Sequence, residues 1–119
     1  MIDHIGLGCA DIKASIAFYE AALAPLGCQK IVDHGDVVAF GVNFPQYWLG
    51  PGPATERIHI ALMAGDRAAV DAFHAAGLAA GGRDNGAPGL REHYAPTYYA
   101  AYLFDPDDNN IEAVCHTPA

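Results

Sequence analysis

Apolar and polar residues alternate along two short stretches of the chain, one at its start and one near its middle. The stretches run from Ile2 to Cys9 and from Ile58 to Ala64, and a two-residue period is typical of a strand that buries one face. Each is followed by an aspartate, Asp11 or Asp66, whose side-chain oxygen can accept from the first backbone amides of a helix. Each half of the chain therefore opens with a predicted strand and a predicted helix.

After these aspartates the spacing of the apolar residues changes to every three or four positions, as on the packed face of a helix. Glycines then end both segments, Gly27 in the first and Gly81 with Gly82 in the second, in keeping with the role of glycine as a helix terminator. The predicted packing residues are Ile12, Ile16, Tyr19 and Leu23 in the first helix and Val70, Phe73 and Gly77 in the second.

Three more strands are predicted after each helix, separated by turn-forming residues. They lie at 28–33, 37–42 and 46–50 in the first half, and at about 83–87, 98–104 and 110–116 in the second.

The resulting order is βαβββ, repeated once. It predicts a single α+β domain over residues 1–119, with modules at about 1–50 and 57–116 and both helices on the outer face of a mixed sheet. Residues 88–97 form a longer polar connection, and connections of this kind often border a binding site.

The two halves also match residue by residue at an offset of 55 positions, from His4 to His59. The segment His4-Ile5-Gly6-Leu7 aligns with His59-Ile60-Ala61-Leu62, and Asp11, Phe18 and Leu23 align with identical residues in the second half. An internal repeat of this length indicates two copies of one structural unit. The two histidines are therefore predicted to occupy equivalent positions.

Composition narrows the class of protein. Apolar residues make up 52% of the 119 residues and charged residues 17%, which indicates a packed globular domain. The formal charge of −8 and the scattered basic residues argue against nucleic-acid binding.

The chain has no apolar run long enough to cross a membrane, and Met1-Ile2-Asp3-His4 does not resemble a signal peptide, so we expect a cytoplasmic protein. Cys9, Cys28 and Cys115 have no disulfide or zinc-site spacing and are predicted to be buried.

Side chains alternate between the two faces of a strand, and this alternation places three potential metal ligands on the sheet face opposite the helices. His4 and His59 point away from the Ile and Leu side chains of their strands, and Glu112 points away from Ile111 and Ala113. A buried carboxylate without a cation is unfavourable by several kcal/mol. If the strands share one concave face, His4, His59 and Glu112 form a site for one divalent metal ion.

Two imidazoles and one carboxylate leave open coordination positions, as in non-haem iron(II) sites. The same set can hold Fe2+, Mn2+, Ni2+, Co2+ or Zn2+. His34, His74, His93 and His116 have no support from the repeat.

These residues resemble the vicinal oxygen chelate superfamily, which includes glyoxalase I, bleomycin-resistance proteins, fosfomycin-resistance thiol transferases and extradiol dioxygenases. The resemblance covers nearly the whole chain and rests on three segments: Asp3-His4-Ile5-Gly6-Leu7, His59-Ile60-Ala61, and Asp105 to Glu112. It implies paired βαβββ modules curled into a cup, and a metal on His4, His59 and Glu112 that is chelated by substrate oxygens. It also favours a homodimer.

The sequence departs from glyoxalase I in one respect. That enzyme has a fourth carboxylate ligand in the last strand of the first module, where this chain reads Gln46-Tyr47-Trp48-Leu49. No Asp, Glu or His occurs between Val37 and Thr55. Three protein ligands fit the dioxygenase and thiol-transferase branches better.

Aromatic and basic residues are available for the remainder of the cup. Trp48, Tyr98 and Tyr102 are predicted to line a substrate pocket, along with Tyr47 and Tyr99. In the long loop, Arg91 is suited to a carboxylate or phosphonate, and His93 is the predicted proton-transfer residue because imidazole titrates near neutral pH.

The sequence therefore favours a metal-dependent enzyme acting on a small oxygen-chelating substrate, of dioxygenase, lyase, isomerase or thiol-transfer type. The alternative is a protein that sequesters an aromatic or antibiotic-like ligand without chemistry, as bleomycin-resistance proteins do. The acidic balance of the chain would suit a cationic ligand of that kind.

Overall fold

Each half of the chain folds into a four-stranded mixed sheet with one helix against it, as a computed structural model of residues 1–119 shows. The first module contains β1 (Ile5–Cys9), α1 (Ile12–Leu23), a 3-10 turn (Ala24–Leu26), β2 (Gln29–Asp33), β3 (Val38–Gly41) and β4 (Tyr47–Pro51). The second contains β5 (His59–Met63), α2 (Arg67–Ala79), β6 (Arg83–Leu90), β7 (Tyr99–Phe104) and β8 (Asn110–Cys115).

The strand order is the same in both sheets, β1-β4-β3-β2 and β5-β8-β7-β6. In each sheet the first and last strands of the module pair in parallel, and the other neighbours are antiparallel. The registers also correspond, since Gly6 faces Trp48 and Ala61 faces Glu112. The predicted α+β fold of two βαβββ modules is confirmed, and the two sheets are not joined to each other by strand pairing.

Both predicted helix starts are confirmed at the level of single hydrogen bonds. Asp11 Oδ1 accepts from the backbone N–H of Ala14 at 3.1 Å, and Asp66 Oδ1 accepts from that of Ala69 at 2.8 Å. The segment after α1 closes at Gly27, whose φ of 84° is a left-handed conformation that glycine adopts readily. The aspartate N-caps predicted from the sequence are therefore present in both modules.

The core lies between the helices and the helix-facing sides of the sheets. Phe18 and Phe73, equivalent residues of α1 and α2, are fully buried. The helix α2 approaches β7 closely at Gly77, where an added Cβ would come within 2.3 Å of Leu103 Cδ1. Cys9 and Cys115 are buried and Cys28 is half-buried, all as free thiols, in keeping with their predicted packing role.

Two strand boundaries differ from the sequence-based prediction by three residues, and the other boundaries by at most one. The strand β1 begins at Ile5, whose N–H donates to Gln46 O, so His4 precedes the strand instead of lying within it. The strand β6 continues to Leu90, although Pro88 lacks an N–H. Register shifts on either side of Gly86 let β6 pair with β7 past the proline.

No helix is long and apolar enough to cross a membrane.

Candidate functional site

The sheet surface that faces away from the helices is called the open face. In the second sheet, three neighbouring strands contribute Ala61, Glu112 and Tyr102 to one row of this face, since Ala61 and Tyr102 both pair with Glu112. His59 lies on the same face, one row along, where it pairs with Asn110. The predicted parity of His59 and Glu112 is thereby confirmed.

Glu112 lies at the centre of this surface and is only 1% exposed. Its Oε1 is 2.9 Å from His59 Nε2, and its Oε2 accepts a hydrogen bond from the Tyr98 hydroxyl. Both oxygens of the buried carboxylate therefore have a polar partner, which offsets much of the cost of burying it.

The geometry of the His59–Glu112 pair fits shared ligation of a cation. Ligand atoms that lie about 2.1 Å from one metal ion at right angles to each other are about 3 Å apart, close to the observed 2.9 Å. The His59 side chain is 52% exposed, so this pair can be approached from solvent.

His4 lies apart from this pair, at the start of the first sheet. Its Nδ1–H donates to Asp3 Oδ1 at 2.7 Å and its side chain is 59% exposed. In the neutral imidazole, a carboxylate on Nδ1–H selects the tautomer whose Nε2 lone pair is the ligand atom, an arrangement common among metal-bound histidines. However, no group of three His, Cys, Asp or Glu side chains within one chain is arranged to hold a metal ion. One chain therefore brings together two of the three predicted ligands.

The structure identifies the residue that corresponds to the fourth ligand position. Gly6 and Ala61 are equivalent in the repeat, and their partners on the neighbouring strands are Trp48 and Glu112. The half-buried Trp48 thus occupies in the first sheet the position of Glu112 in the second. Gln46 directly precedes β4 in the first sheet. Its side-chain oxygen Oε1 already accepts a hydrogen bond from the N–H of Val42 at 3.1 Å. The indole of Trp48 cannot ligate a metal, so this position offers no ligand atom.

The tyrosines around Glu112 remain protonated at neutral pH. Burial, followed by the hydrogen bond to Glu112, raises the pKa of Tyr98 well above its ordinary value. Burial and the charge of Glu112 raise the pKa of Tyr102 to about 12. Tyr98 is also a predicted substrate-binding residue, and its hydroxyl donates to the carboxylate of Glu112.

His93 and Arg91 lie at the margin of this surface. The His93 ring packs on Tyr94 at 4.1 Å between centroids, and Tyr94 packs on Tyr98 at 5.1 Å, so an aromatic series connects the loop to Glu112. His93, Arg91 and Tyr102 line one polar cavity together with Asn85, Tyr94 and Asn110. Asn85 and Asn110 were not predicted, because a single asparagine in a strand or turn is indistinguishable from a surface residue.

The turn before β8 holds the pair in place through a buried network. Asp105 is 2% exposed and accepts from the Tyr19 hydroxyl at 2.5 Å and from Asn109 Nδ2 at 2.9 Å. Asn109 also donates to Thr55 O at 2.7 Å and accepts from the N–H of Ile58 at 3.1 Å. Because Ile58 precedes His59 and Asn109 precedes β8, this network fixes the two strands that carry His59 and Glu112.

The fold and site define a class: two βαβββ modules with a histidine and a glutamate on the open face of a sheet. A model of the Glyoxalase/Bleomycin resistance protein/Dioxygenase superfamily matches residues 1–113. The chain belongs to this superfamily.

Solved structures agree. A glyoxalase/bleomycin resistance protein from Albidiferax ferrireducens T118 is 31% identical, with 98% of each chain covered and a TM-score of 0.82. Two more distant structures share the fold. A lactoylglutathione lyase from Agrobacterium tumefaciens is 20% identical over 96% of this chain and 92% of that one, with a TM-score of 0.65. The fosfomycin resistance protein FosX from Mesorhizobium loti is 18% identical over 98% and 92%, with a TM-score of 0.71. No protein of curated function matches the chain.

Proposed function

We propose that the protein is a metal-dependent enzyme that acts on a small substrate carrying two neighbouring oxygen atoms. The observation that supports this proposal is the buried carboxylate of Glu112, 2.9 Å from the accessible His59 ring on the open face. A strand interior normally holds an apolar residue at such a position. A carboxylate with a histidine at one oxygen and a tyrosine hydroxyl at the other is suited to holding a cation.

The residues that would hold the ion are His59, Glu112 and the His4 of a second copy of the chain. His59 Nε2 and Glu112 Oε1 supply two ligand atoms, and the orientation of His4 by Asp3 prepares its Nε2 as a third. When bound, the ion acts as a Lewis acid that stabilises negative charge developing on substrate oxygen.

A homodimer is proposed because His59 lies on an edge strand and His4 directly precedes another. β1 and β5 each have a strand neighbour on one side only, and a free edge is a ready site for pairing with another chain. The linker between β4 and β5, residues 52–58, covers β1 at Gly8, where Thr55 N–H donates to Gly8 O. No strand covers the remainder of this edge of β1. If β1 of one copy lies along β5 of another, the two open faces become continuous and His4 approaches His59.

Apolar surface near these edges supports the same arrangement. Ile2 and Met63 are 70% and 84% exposed, and an apolar cavity of about 400 Å3 separates β5 from the ends of β3 and β4. Exposed apolar residues along two sheet edges are typical of a surface that is covered on association. A two-fold dimer would cover both edges of both copies.

The chain's own residues have separable tasks in this proposal. Tyr98 holds one oxygen of Glu112 and so fixes the direction of the other. Trp48 and Tyr102 provide aromatic surface and a phenolic donor for the substrate, and His93 transfers a proton at the loop side of the cavity. If the bound ion is iron(II), an oxygenase is the favoured subclass.

Metal analysis of protein purified without chelator tests the proposal. We expect about one divalent ion per chain in the wild type and a strong loss in His59→Ala, because removing one of three ligands removes most of the affinity. His34→Ala, which changes an exposed loop histidine, serves as the matched control and should retain the ion. No metal in the wild type, even after reconstitution, would refute the proposal. Ligand binding unaffected by EDTA and by Glu112→Gln would favour sequestration instead.

A further inference from the structure

A polar cavity of about 310 Å3 adjoins the His59–Glu112 pair on the open face of the second sheet. Two of its lining residues are register partners of that pair: Asn110 faces His59 and Tyr102 faces Glu112. No acidic residue lines it, although the chain carries a formal charge of −8. The cavity is lined by Asn85, Arg91, His93, Tyr94, Tyr102 and Asn110.

The guanidinium of Arg91 is held in a fixed position at this cavity. Its Nη1 donates to Gly89 O at 2.9 Å and its Nη2 to Ala87 O at 2.8 Å. Its centre also lies 5.3 Å from the centroid of the Tyr102 ring, within the range of a cation–π contact. Two carbonyls and an aromatic ring thus fix the group before any ligand arrives.

The irregular course of β6 makes room for this guanidinium. An added Cβ at Gly86 would lie 3.2 Å from Arg91 Nη2, and one at Gly89 would lie 3.2 Å from Nη1. Gly86 also has a φ of 152°, which side chains rarely adopt. The two glycines and the register shifts between them therefore form a backbone cradle around Arg91.

Several donor groups at this cavity have no acceptor within the chain. Arg91, which directly follows β6, forms no ion pair, whereas Arg83 at the start of β6 pairs with Asp108. The guanidinium has five N–H groups, of which two are used by the carbonyls. Asn85 donates to Asn110 Oδ1 at 3.1 Å, which orients Asn110 and leaves its own amide N–H groups free. A fixed positive charge with surplus donors is suited to an oxyanion.

We propose that this cavity binds an anionic group of the substrate, a carboxylate or a phosphate-type oxyanion, through Arg91 and the Asn110 amide. The substrate class is then a small organic acid whose charged group lies beside, and apart from, the oxygens that face His59 and Glu112. This assignment rests on the proposed function for the identity of the ligand as a substrate. The anion site itself is independent of the metal.

Nuclear magnetic resonance on metal-free, EDTA-dialysed protein tests the assignment. Acetate, inorganic phosphate and methylphosphonate are titrated separately at constant ionic strength with chloride as the balancing ion. We expect saturable shifts of the Arg91 Nε–H and Asn110 side-chain amide signals with at least one of the three. The anion that binds most tightly distinguishes a carboxylate from a phosphate-type site.

Variants separate this site from general charge effects. Arg91→Gln should weaken binding about tenfold or more, because a charge-assisted pair of hydrogen bonds is lost. Lys13→Gln removes one positive charge from an exposed position of α1 and should leave binding unchanged. Arg91→Lys keeps the positive charge but loses the paired N–H donors of the guanidinium, so we expect it to weaken binding as well. This variant replaces Arg91→Gln in the test if the glutamine variant does not fold. No saturable shift with any anion, or equal affinity in an Arg91 variant and the wild type, would overturn the assignment.

Glu112→Gln distinguishes failure of this assignment from failure of the proposed function. It should abolish metal binding while leaving the Arg91 response to the anion intact. Loss of the anion response in this variant would contradict the independence of the two sites.

Discussion

Glu112 is the central residue of the candidate metal site, and its two oxygens have different partners. One oxygen is 2.9 Å from His59, and the other accepts from Tyr98. A carboxylate held in this way has one oxygen beside the accessible histidine and the other fixed by a phenol. Strand parity predicted the face on which Glu112 lies, since that depends only on counting along one strand. It could not predict Tyr98 as a partner, because that contact depends on the path of the loop before β7.

Replacing Tyr98 with phenylalanine tests this positioning role. The aromatic ring remains but Glu112 loses one hydrogen bond, so we expect metal affinity to fall about tenfold or more, as for other residues that orient a ligand. Competition with a chromophoric chelator measures the change. Tyr99→Phe is the matched control, because it removes a neighbouring phenol that donates to Asp71 at 2.6 Å on the exposed surface. Equal metal affinity in the two variants would mean that Tyr98 does not position Glu112.

At the scale of elements, the turn between β7 and β8 does more than reverse the chain. Its sequence, Asp105-Pro106-Asp107-Asp108-Asn109, predicted a turn correctly, and local composition is sufficient for that. Its side chains also bind the linker and α1. Those partners lie up to 86 residues away in the chain, so no local pattern reveals them.

Asn109→Ala should be among the more destabilising single substitutions. Asn109 is 1% exposed, and the change leaves Ile58 N–H and Thr55 O without their partners, at a cost of about 2–4 kcal/mol in the free energy of unfolding. Urea denaturation measures this. Asn43→Ala, at an exposed loop position, is the control and should change stability by less than about 0.5 kcal/mol. A similar small effect at Asn109 would show that the network does not hold the linker.

The contact between α2 and β7 gives a second test at this scale. At Gly77 an added Cβ would lie 2.3 Å from Leu103 Cδ1, so Gly77→Ala should destabilise by about 1–3 kcal/mol through overpacking, despite the better helix propensity of alanine. Gly65→Ala, where nothing lies within 4 Å of the added atom, should be near neutral. If thermal denaturation gives the same midpoint for both, the packing at Gly77 is looser than described.

At the scale of the whole molecule, two buried phenols make stability depend on alkaline pH. Burial raises the pKa of both Tyr19 and Tyr47, so above the ordinary tyrosine pKa of about 10 the unfolded chain loses protons that the folded chain keeps. The contribution of these two phenols to stability is therefore complete below about pH 10 and falls above it, by about 1.4 kcal/mol per pH unit for each phenol.

Urea denaturation at pH values between about 9 and 11 measures this slope. Tyr47→Phe is the informative variant, because the Tyr47 hydroxyl has no hydrogen-bond partner. It should fold at least as stably as the wild type at neutral pH and show a shallower alkaline loss. A slope unchanged by the substitution would place the titrating groups elsewhere.

The relative placement of the two sheets is where prediction from sequence reached its limit. The repeat and strand parity identified equivalent positions for His4 and His59, and the fold confirmed two equivalent modules. Whether these positions meet depends on how α1 and α2 pack and on which strand edges are left free. Contacts between modules leave no periodic signal in the sequence, so the separation of His4 from Glu112 within one chain could be found only in the structure.

Metal binding by mixed dimers shows whether two copies of the chain build one site together. His4→Ala and Glu112→Ala are each expected to lack metal when prepared alone. Co-expression of the two chains should restore about a quarter of the wild-type metal content, because half of the dimers then contain one intact site built from both chains. Dimers that remain metal-free after mixing, while each variant alone is folded, would contradict a site shared between His59, Glu112 and the His4 of a second copy.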